Sequence, residues 1–241
     1  MKKNSLQNHI KKVNNLLIKK YGIPPRSKTP PDSVDMIIAT ILSQNTNDKN
    51  SYKAFQNLKN KFKNWNEVAK LTASQIEKHI KIAGLGKQKS KAIKNLLSTL
   101  LKEKGKISLN YLDTMKDEEI LNELTSFQGI GLKTASCVLL FAMRKNYCPV
   151  DTHVHRTTNR IGLVKTSTPD KSFAILNENM PDGIAHQFHT NLIRLGREIC
   201  KPTNPSCKIC PLFKVCEYAD KNLKSSPEYK VNDFLLLDSI K

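Results

Sequence analysis

Four cysteines stand close together toward the C-terminal end of the chain. Cys200, Cys207, Cys210 and Cys216 are spaced C-x6-C-x2-C-x5-C. Pro202, Pro205 and Pro211 lie among them, so this stretch is a loop that something other than a helix ladder must order. A bound metal would order it. Zinc modules usually bring two short Cys pairs separated by a longer spacer. Here one C-x2-C has a single Cys on each flank, which favours a cubane iron–sulfur cluster over zinc. Lys201, Lys208 and Lys214 would offset an anionic cluster and could also face phosphates. The other two cysteines, Cys137 in an apolar helix and Cys148 in a connection, read as structural.

A second chemical feature is LTSFQGIGLKTA, residues 124–135. Gly129 and Gly131 flank the apolar Ile130 between two helical stretches, in a helix-hairpin-helix pattern. Glycine permits positive φ and lets backbone come close to another surface. The amides of Gly129, Gly131 and the first turn of the following helix lack intrahelical partners, so they can hold a phosphate with no side chain. Ile130 would point back and pin the hairpin to the core. Lys133 falls in that first turn. A cation there opposes the helix dipole, which favours the neutral amine, a nucleophile if the site is also desolvated. The plainer role is a lysine that contacts phosphate.

The third feature is PVDTHVHR, residues 149–156. Asp151 precedes a helical stretch and is placed to be its N-cap. It is also a carboxylate able to balance a developing cation or take a proton, and the two roles are compatible. His153 and His155 would fall on different helix faces, which disfavours a metal site. Arg156 is expected to contact a carboxylate or the chain nearby.

The elements that must position these groups are helices. No period-2 alternation and no Asn-Gly or Asp-Gly turn is present. Leu6, Ile10, Val13, Leu16 and Leu17 share one helical face. The run 34–44 is apolar nearly all round and predicts a buried helix, capped by Asp32 or Ser33. Further helices are expected at 49–62, 66–71, 74–82, 88–104, 117–125, 133–144, 152–161, 170–179 and 184–199, with Thr72 a candidate cap. The tail 221–241 is weakly patterned. IAGLGKQK (82–89) and FQGIGLK (127–133) share an apolar-x-Gly-apolar-Gly pattern followed by Lys.

Composition bounds the partners. The 241 residues suffice for one large or two small domains. Forty Lys and Arg stand against 21 Asp and Glu, a formal net charge of +19. A surplus this large points to a polyanion, nucleic acid before a membrane surface. No apolar run approaches the roughly 20 residues that span a bilayer. The basic start lacks the apolar core and cleavage site of a signal peptide, so a cytoplasmic, nucleoid-associated protein is expected.

With FQGIGLKTA, PVDTHVHR and the four-cysteine loop in one order, the chain from about 34 to 218 resembles the endonuclease III family of DNA glycosylases, within the helix-hairpin-helix glycosylase superfamily. The resemblance implies an all-α, two-domain fold with a [4Fe–4S] cluster loop. Residues 26–145 would form the six-helix domain with the hairpin. Residues 1–25 and 146–220 would form the cluster domain, followed by a tail at 221–241. The cluster would be structural, on Cys200, Cys207, Cys210 and Cys216. The partner would be double-stranded DNA with a damaged base or abasic site, lying across the cleft between the domains. The protein would act as a monomer without membrane contact.

The implied activity is base excision repair by a bifunctional enzyme. Lys133 would attack C1′ of a flipped damaged nucleotide, an oxidised pyrimidine being the expected lesion. The Schiff base would then allow β-elimination at the abasic site. Asp151 would assist activation and stabilise cationic character at the sugar. Gly129, Ile130 and Gly131 would carry the DNA backbone contact. Within LSQNTND (42–48), the family's intercalating Gln aligns with Asn45, while Gln44 stands one position earlier, and either could fill the gap left by the flipped base. GLGKQKS (84–90) matches the second insertion loop, with Leu85 as wedge. LKTASC also resembles archaeal relatives and plant demethylating glycosylases.

Rival functions are a mismatch-specific glycosylase, a monofunctional glycosylase of the same superfamily, and a non-catalytic DNA-binding iron–sulfur protein. The monofunctional adenine enzymes use a Glu in the helix matching 35–44, where this chain has no carboxylate after Asp35. The thymine-mismatch enzymes typically have Tyr where Lys133 stands. The presence of both Lys133 and Asp151 speaks against a non-catalytic role.

Overall fold

The structure, a computed structural model, describes residues 3–224; the weakly patterned tail lies, beyond residue 224, outside the described residues. Among the described residues every regular element is helical. The chain divides into two compact units. One comprises residues 27–145; the other joins the N-terminal segment up to Arg26 to the chain from Asn146 onward.

The 27–145 unit is built around α2 (Ser33–Ser43), buried from Val34 to Leu42. Asp32 caps it, with Oδ1 accepting the amides of Val34 and Asp35 at 2.8 and 3.2 Å. An apolar stripe nearly all round lets α2 pack on several partners at once. These are α3 (Asp48–Lys61), α6 (Gly86–Lys104) and α8 (Leu132–Cys137). One acidic side chain interrupts the apolar surroundings. Asp35 is buried and accepts from Lys59 Nζ at 2.9 Å and Trp65 Nε1 at 2.6 Å, so its charge is paired and hydrogen-bonded. Between α3 and α6 come α4 (Trp65–Ala69) and α5 (Ala73–Ile80), the latter opened by a Thr72–Gln75 capping box. α7 (Asp117–Ser126) leads into the glycine hairpin. Arg144 closes the unit by donating to the carbonyls of Ser27 and Lys28, which ties its last residues to its first.

The helix expected over 74–82 ends at Ile80 and tightens into a 3-10 turn at Lys81–Ala83, while α6 begins two residues early, at Gly86. The helix expected over 133–144 is α-helical only to Cys137, then widens into a π-helical turn at Val138–Ala142. Val138 to Phe141 are all buried, so no polar face marks the change of period in the sequence.

In the other unit, α11 (Ala185–Glu198) is the central element and packs against α9 (Thr152–Ile161) and α1 (Lys3–Tyr21). α10 (Pro169–Glu178) packs on α9. Leu6, Ile10, Val13 and Leu17 form the buried stripe of α1. Asn191 Nδ2 donates to the Gly22 carbonyl at 3.0 Å and Arg194 Nη1 to the Tyr21 carbonyl at 3.2 Å. Two side chains of α11 thus satisfy carbonyls at the end of α1, which has no intrahelical partners for them. This is how a segment at the start of the chain becomes part of a unit made mostly of its second half.

Candidate active site and cysteine loop

The glycine hairpin is docked on α6. Gly129 has φ +88°, a left-handed conformation, and a Cβ there would stand 2.8 Å from Ala92 Cβ. Asn95 Nδ2 donates to Gln128 Oε1 at 2.8 Å beside it. Ile130 is 4% exposed, and its amide closes the turn onto the Phe127 carbonyl at 3.0 Å. Gly131 differs from Gly129. Its φ is an ordinary −92°, and an added Cβ would meet nothing within 4 Å. The protein's own packing therefore makes no demand for glycine at 131, whereas close approach of a ligand to the exposed backbone would. Gly131 is the N-cap of α8, and Lys133 lies half-buried in the first turn.

The two candidate gap-filling residues differ in setting. Gln44 ends α2 and donates from Nε2 to Thr134 Oγ1 on α8, at 3.4 Å. Asn45 is exposed with φ +49°. Leu85 also has φ +49° and is 50% exposed. A left-handed leucine is uncommon, since β-carbon crowding costs roughly 1–2 kcal/mol. An apolar side chain held out in solvent on such a backbone has no packing reason of its own.

Asp151 caps α9, with Oδ1 accepting the Val154 amide at 2.8 Å. Burial pushes the His153 imidazole below its usual range, against the pull of the Asp151 carboxylate. His155 Nδ1 lies 2.7 Å from Ser172 Oγ, in a network with Asn159 and Thr166. The two histidines therefore face different partners. Arg156 contacts the chain: Nε donates to the Cys200 carbonyl at 3.0 Å and Nη2 to the Gly196 carbonyl at 2.8 Å.

Cys200, Cys207, Cys210 and Cys216 line one pocket open to solvent, with Arg160 and Tyr218 on its wall. Burial pushes the Cys210 thiol up to about 12 and raises that of Cys216, with the neighbouring cysteines adding to both shifts. A thiolate in this pocket thus needs a cation beside it. Arg160, which no motif in the sequence marks, braces the loop. Its Nη1 donates to the Lys201 carbonyl at 2.7 Å and its Nη2 to the Pro202 carbonyl at 2.9 Å, while the guanidinium lies 4.3 Å from the Tyr218 ring centre. Arg156 and Arg160 are one turn apart on α9, so the helix that Asp151 caps also holds the cysteine loop. Lys201, Lys208 and Lys214 are exposed, and Cys137 and Cys148 are buried.

A further residue was missed. Lys89 is 1% exposed and donates from Nζ to the carbonyls of Leu42 and Ala83, both at 2.8 Å. Its one sequence signal was its place on the apolar stripe of α6, in step with Ile93, Leu96 and Leu100.

Residues 38–182 match the family described as HhH-GPD superfamily base excision DNA repair protein. Endonuclease III of Thermotoga maritima is 34% identical over 194 residues, which are 80% of this chain and 87% of that protein. Endonuclease III of Sulfolobus acidocaldarius is also 34% identical, over 78% of this chain and 83% of its own length. The solved structure of a non-covalent endonuclease III–DNA complex shares the fold, with a TM-score of 0.75 at 23% identity, over 87% of this chain and 94% of that one. The chain belongs to the endonuclease III family of that superfamily, the DNA glycosylases of base excision repair. Among the described residues no helix is long and apolar enough to cross a membrane.

Proposed function

We propose that the chain excises damaged bases, oxidised pyrimidines among them, from double-stranded DNA and then cuts the resulting abasic site. The observation that carries this is the pairing of Gly131, whose lack of a side chain serves no internal packing, with the half-buried Lys133 two residues later. The hairpin and first-turn amides would bind a backbone phosphate, with Ile130 holding the turn in place. Leu85 and either Gln44 or Asn45 would fill the duplex where the damaged nucleotide has turned out. The DNA bound by the solved relative of the same fold supports this partner.

Lys133 Nζ would attack C1′ as the C1′–N bond to the base breaks. The base departs with the bonding pair and gains a proton. Loss of the proton from nitrogen and opening of the sugar ring give the imine. Removal of a proton from C2′ then expels the 3′ phosphate. Asp151, fixed by its bond to Val154, would offset the positive charge that builds at the sugar and help deprotonate the amine.

We read the four-cysteine pocket as the seat of an iron–sulfur cluster, from its donor set. Four cysteines line one pocket, and burial raises the pKa of two of them unless a cation is present. Cys200, Cys207, Cys210 and Cys216 would hold a [4Fe–4S] group, which when bound supplies structural cross-linking of the loop. Exposed Lys201, Lys208 and Lys214 would face phosphate. The test is reductive trapping. Wild type should form a covalent adduct with lesion DNA under borohydride, and Lys133→Gln should not. A native rate of trapping in that variant would place the nucleophile elsewhere.

A further inference from the structure

Among the described residues Lys89 is a buried lysine with no carboxylate bonded to it, and this requires an explanation. Burial alone lowers the Lys89 pKa to about 8, so keeping the ammonium inside costs free energy. Both carbonyls it reaches stand at the ends of segments. Leu42 lies in the last turn of α2, where carbonyls lack intrahelical donors and a cation is favoured by the dipole. Ala83 ends the 3-10 turn. The residues that follow each are the candidate DNA-filling loops: Gln44 and Asn45 after the first, Gly84 and Leu85 after the second. Both loops contain a non-glycine residue at φ +49°. Such conformations persist only where the surroundings over-determine them. The Lys89 amide also donates to the Leu85 carbonyl at 3.0 Å, so this residue holds the wedge turn on both sides.

We propose that Lys89 is a positioning residue for base extrusion: by bridging the carbonyls of Leu42 and Ala83 it locks the Gln44–Asn45 and Gly84–Leu85 loops at a fixed spacing. This rests on the reading that those loops enter the duplex at the lesion. Insertion must oppose base stacking, and a wedge that yields under that load cannot hold the nucleotide out. A neutral side chain of similar length would fill the space and lose the bridge. Nothing in this role requires Lys89 to touch DNA, and its burial excludes it as a nucleophile.

Lys89→Met tests the proposal in two ways. In the free protein, hydrogen exchange should accelerate at residues 43–47 and 84–86 and stay unchanged in α7. On lesion duplex, single-turnover excision should fall by about tenfold, a loss of transition-state stabilisation of about 1.4 kcal/mol. In a Leu85→Ala background the same substitution should cost clearly less than tenfold, because the part of its effect that runs through Leu85 is already lost and only the Gln44–Asn45 loop is left to release. A full tenfold loss in that background, or unchanged exchange in both loops, would overturn the proposal. If Lys89→Met does not fold, Lys89→Gln, which is neutral and shorter but keeps an amide N–H donor group, is measured instead; failure of both to fold would mean a purely structural lysine and would also overturn it. Absence of excision by wild type on every lesion would sink the functional reading, while the exchange experiment would still decide whether Lys89 ties the two loops.

Discussion

Gly129 and Ala92 meet so closely that a Cβ on the glycine would lie 2.8 Å from the alanine Cβ. Together with φ +88°, this makes the first hairpin glycine a packing requirement. Gly129→Ala should lower stability by about 1–3 kcal/mol through backbone strain and overpacking. Gly131→Ala should change stability by less than about 0.5 kcal/mol. It should still weaken DNA binding, because its Cβ would stand where phosphate approaches. Urea unfolding and duplex titration of both variants check the split. Equal destabilisation by the two substitutions would mean that both glycines serve the fold.

Asp151 offers a similar separation of roles. Its bond to Val154 is a helix cap, and Asn preserves most capping while removing the charge. Asp151→Asn should unfold close to wild type, whereas Asp151→Ala should lose about 1 kcal/mol. Both should bind lesion DNA and release the base at a strongly reduced rate. Near-native excision by Asp151→Asn would leave the carboxylate with the cap alone.

The cysteine loop should hold iron and sulfide when the protein is purified without oxygen. Cys207→Ser should remove the cluster and weaken DNA binding more than it alters helix content, because Arg156 and Arg160 keep α9 in place through backbone carbonyls of the loop. Metal analysis, circular dichroism and binding together check this. Stoichiometric zinc without iron, in protein made with ample iron, would reject the assignment.

Duplex affinity should fall steeply with salt, since a +19 chain that neutralises phosphates releases counterions on binding. The slope of log K against log salt should correspond to several phosphate contacts, and Lys133→Gln should reduce it by less than about one. A slope near zero would count against backbone recognition.

Much of the architecture was written locally. The caps at Asp32, Thr72 and Asp151 lie where polar side chains precede apolar periodicity, and the helix over 152–161 runs between the residues expected. Such signals are legible because a cap bonds to an amide two or three residues away. The hairpin was legible for a related reason, since positive φ at a turn selects glycine at a particular position.

The fate of single side chains was decided only by the fold. Leu85 and Ile130 occupy the same place in two copies of one short pattern, yet Leu85 is half exposed on a left-handed backbone and Ile130 is buried. Lys89 stands in step with the apolar stripe of α6, but only the fold brings the carbonyls of Leu42 and Ala83 to its ammonium. Arg160 became a brace for the cysteine loop only when a segment 41 residues away was folded against it. By itself the sequence determined that the described residues are helical, where most caps and the glycine hairpin fall, and which residue types were available for chemistry, because those follow from contacts within a few residues. Burial and long-range hydrogen bonds depend on which surfaces meet, and only the tertiary structure decides that.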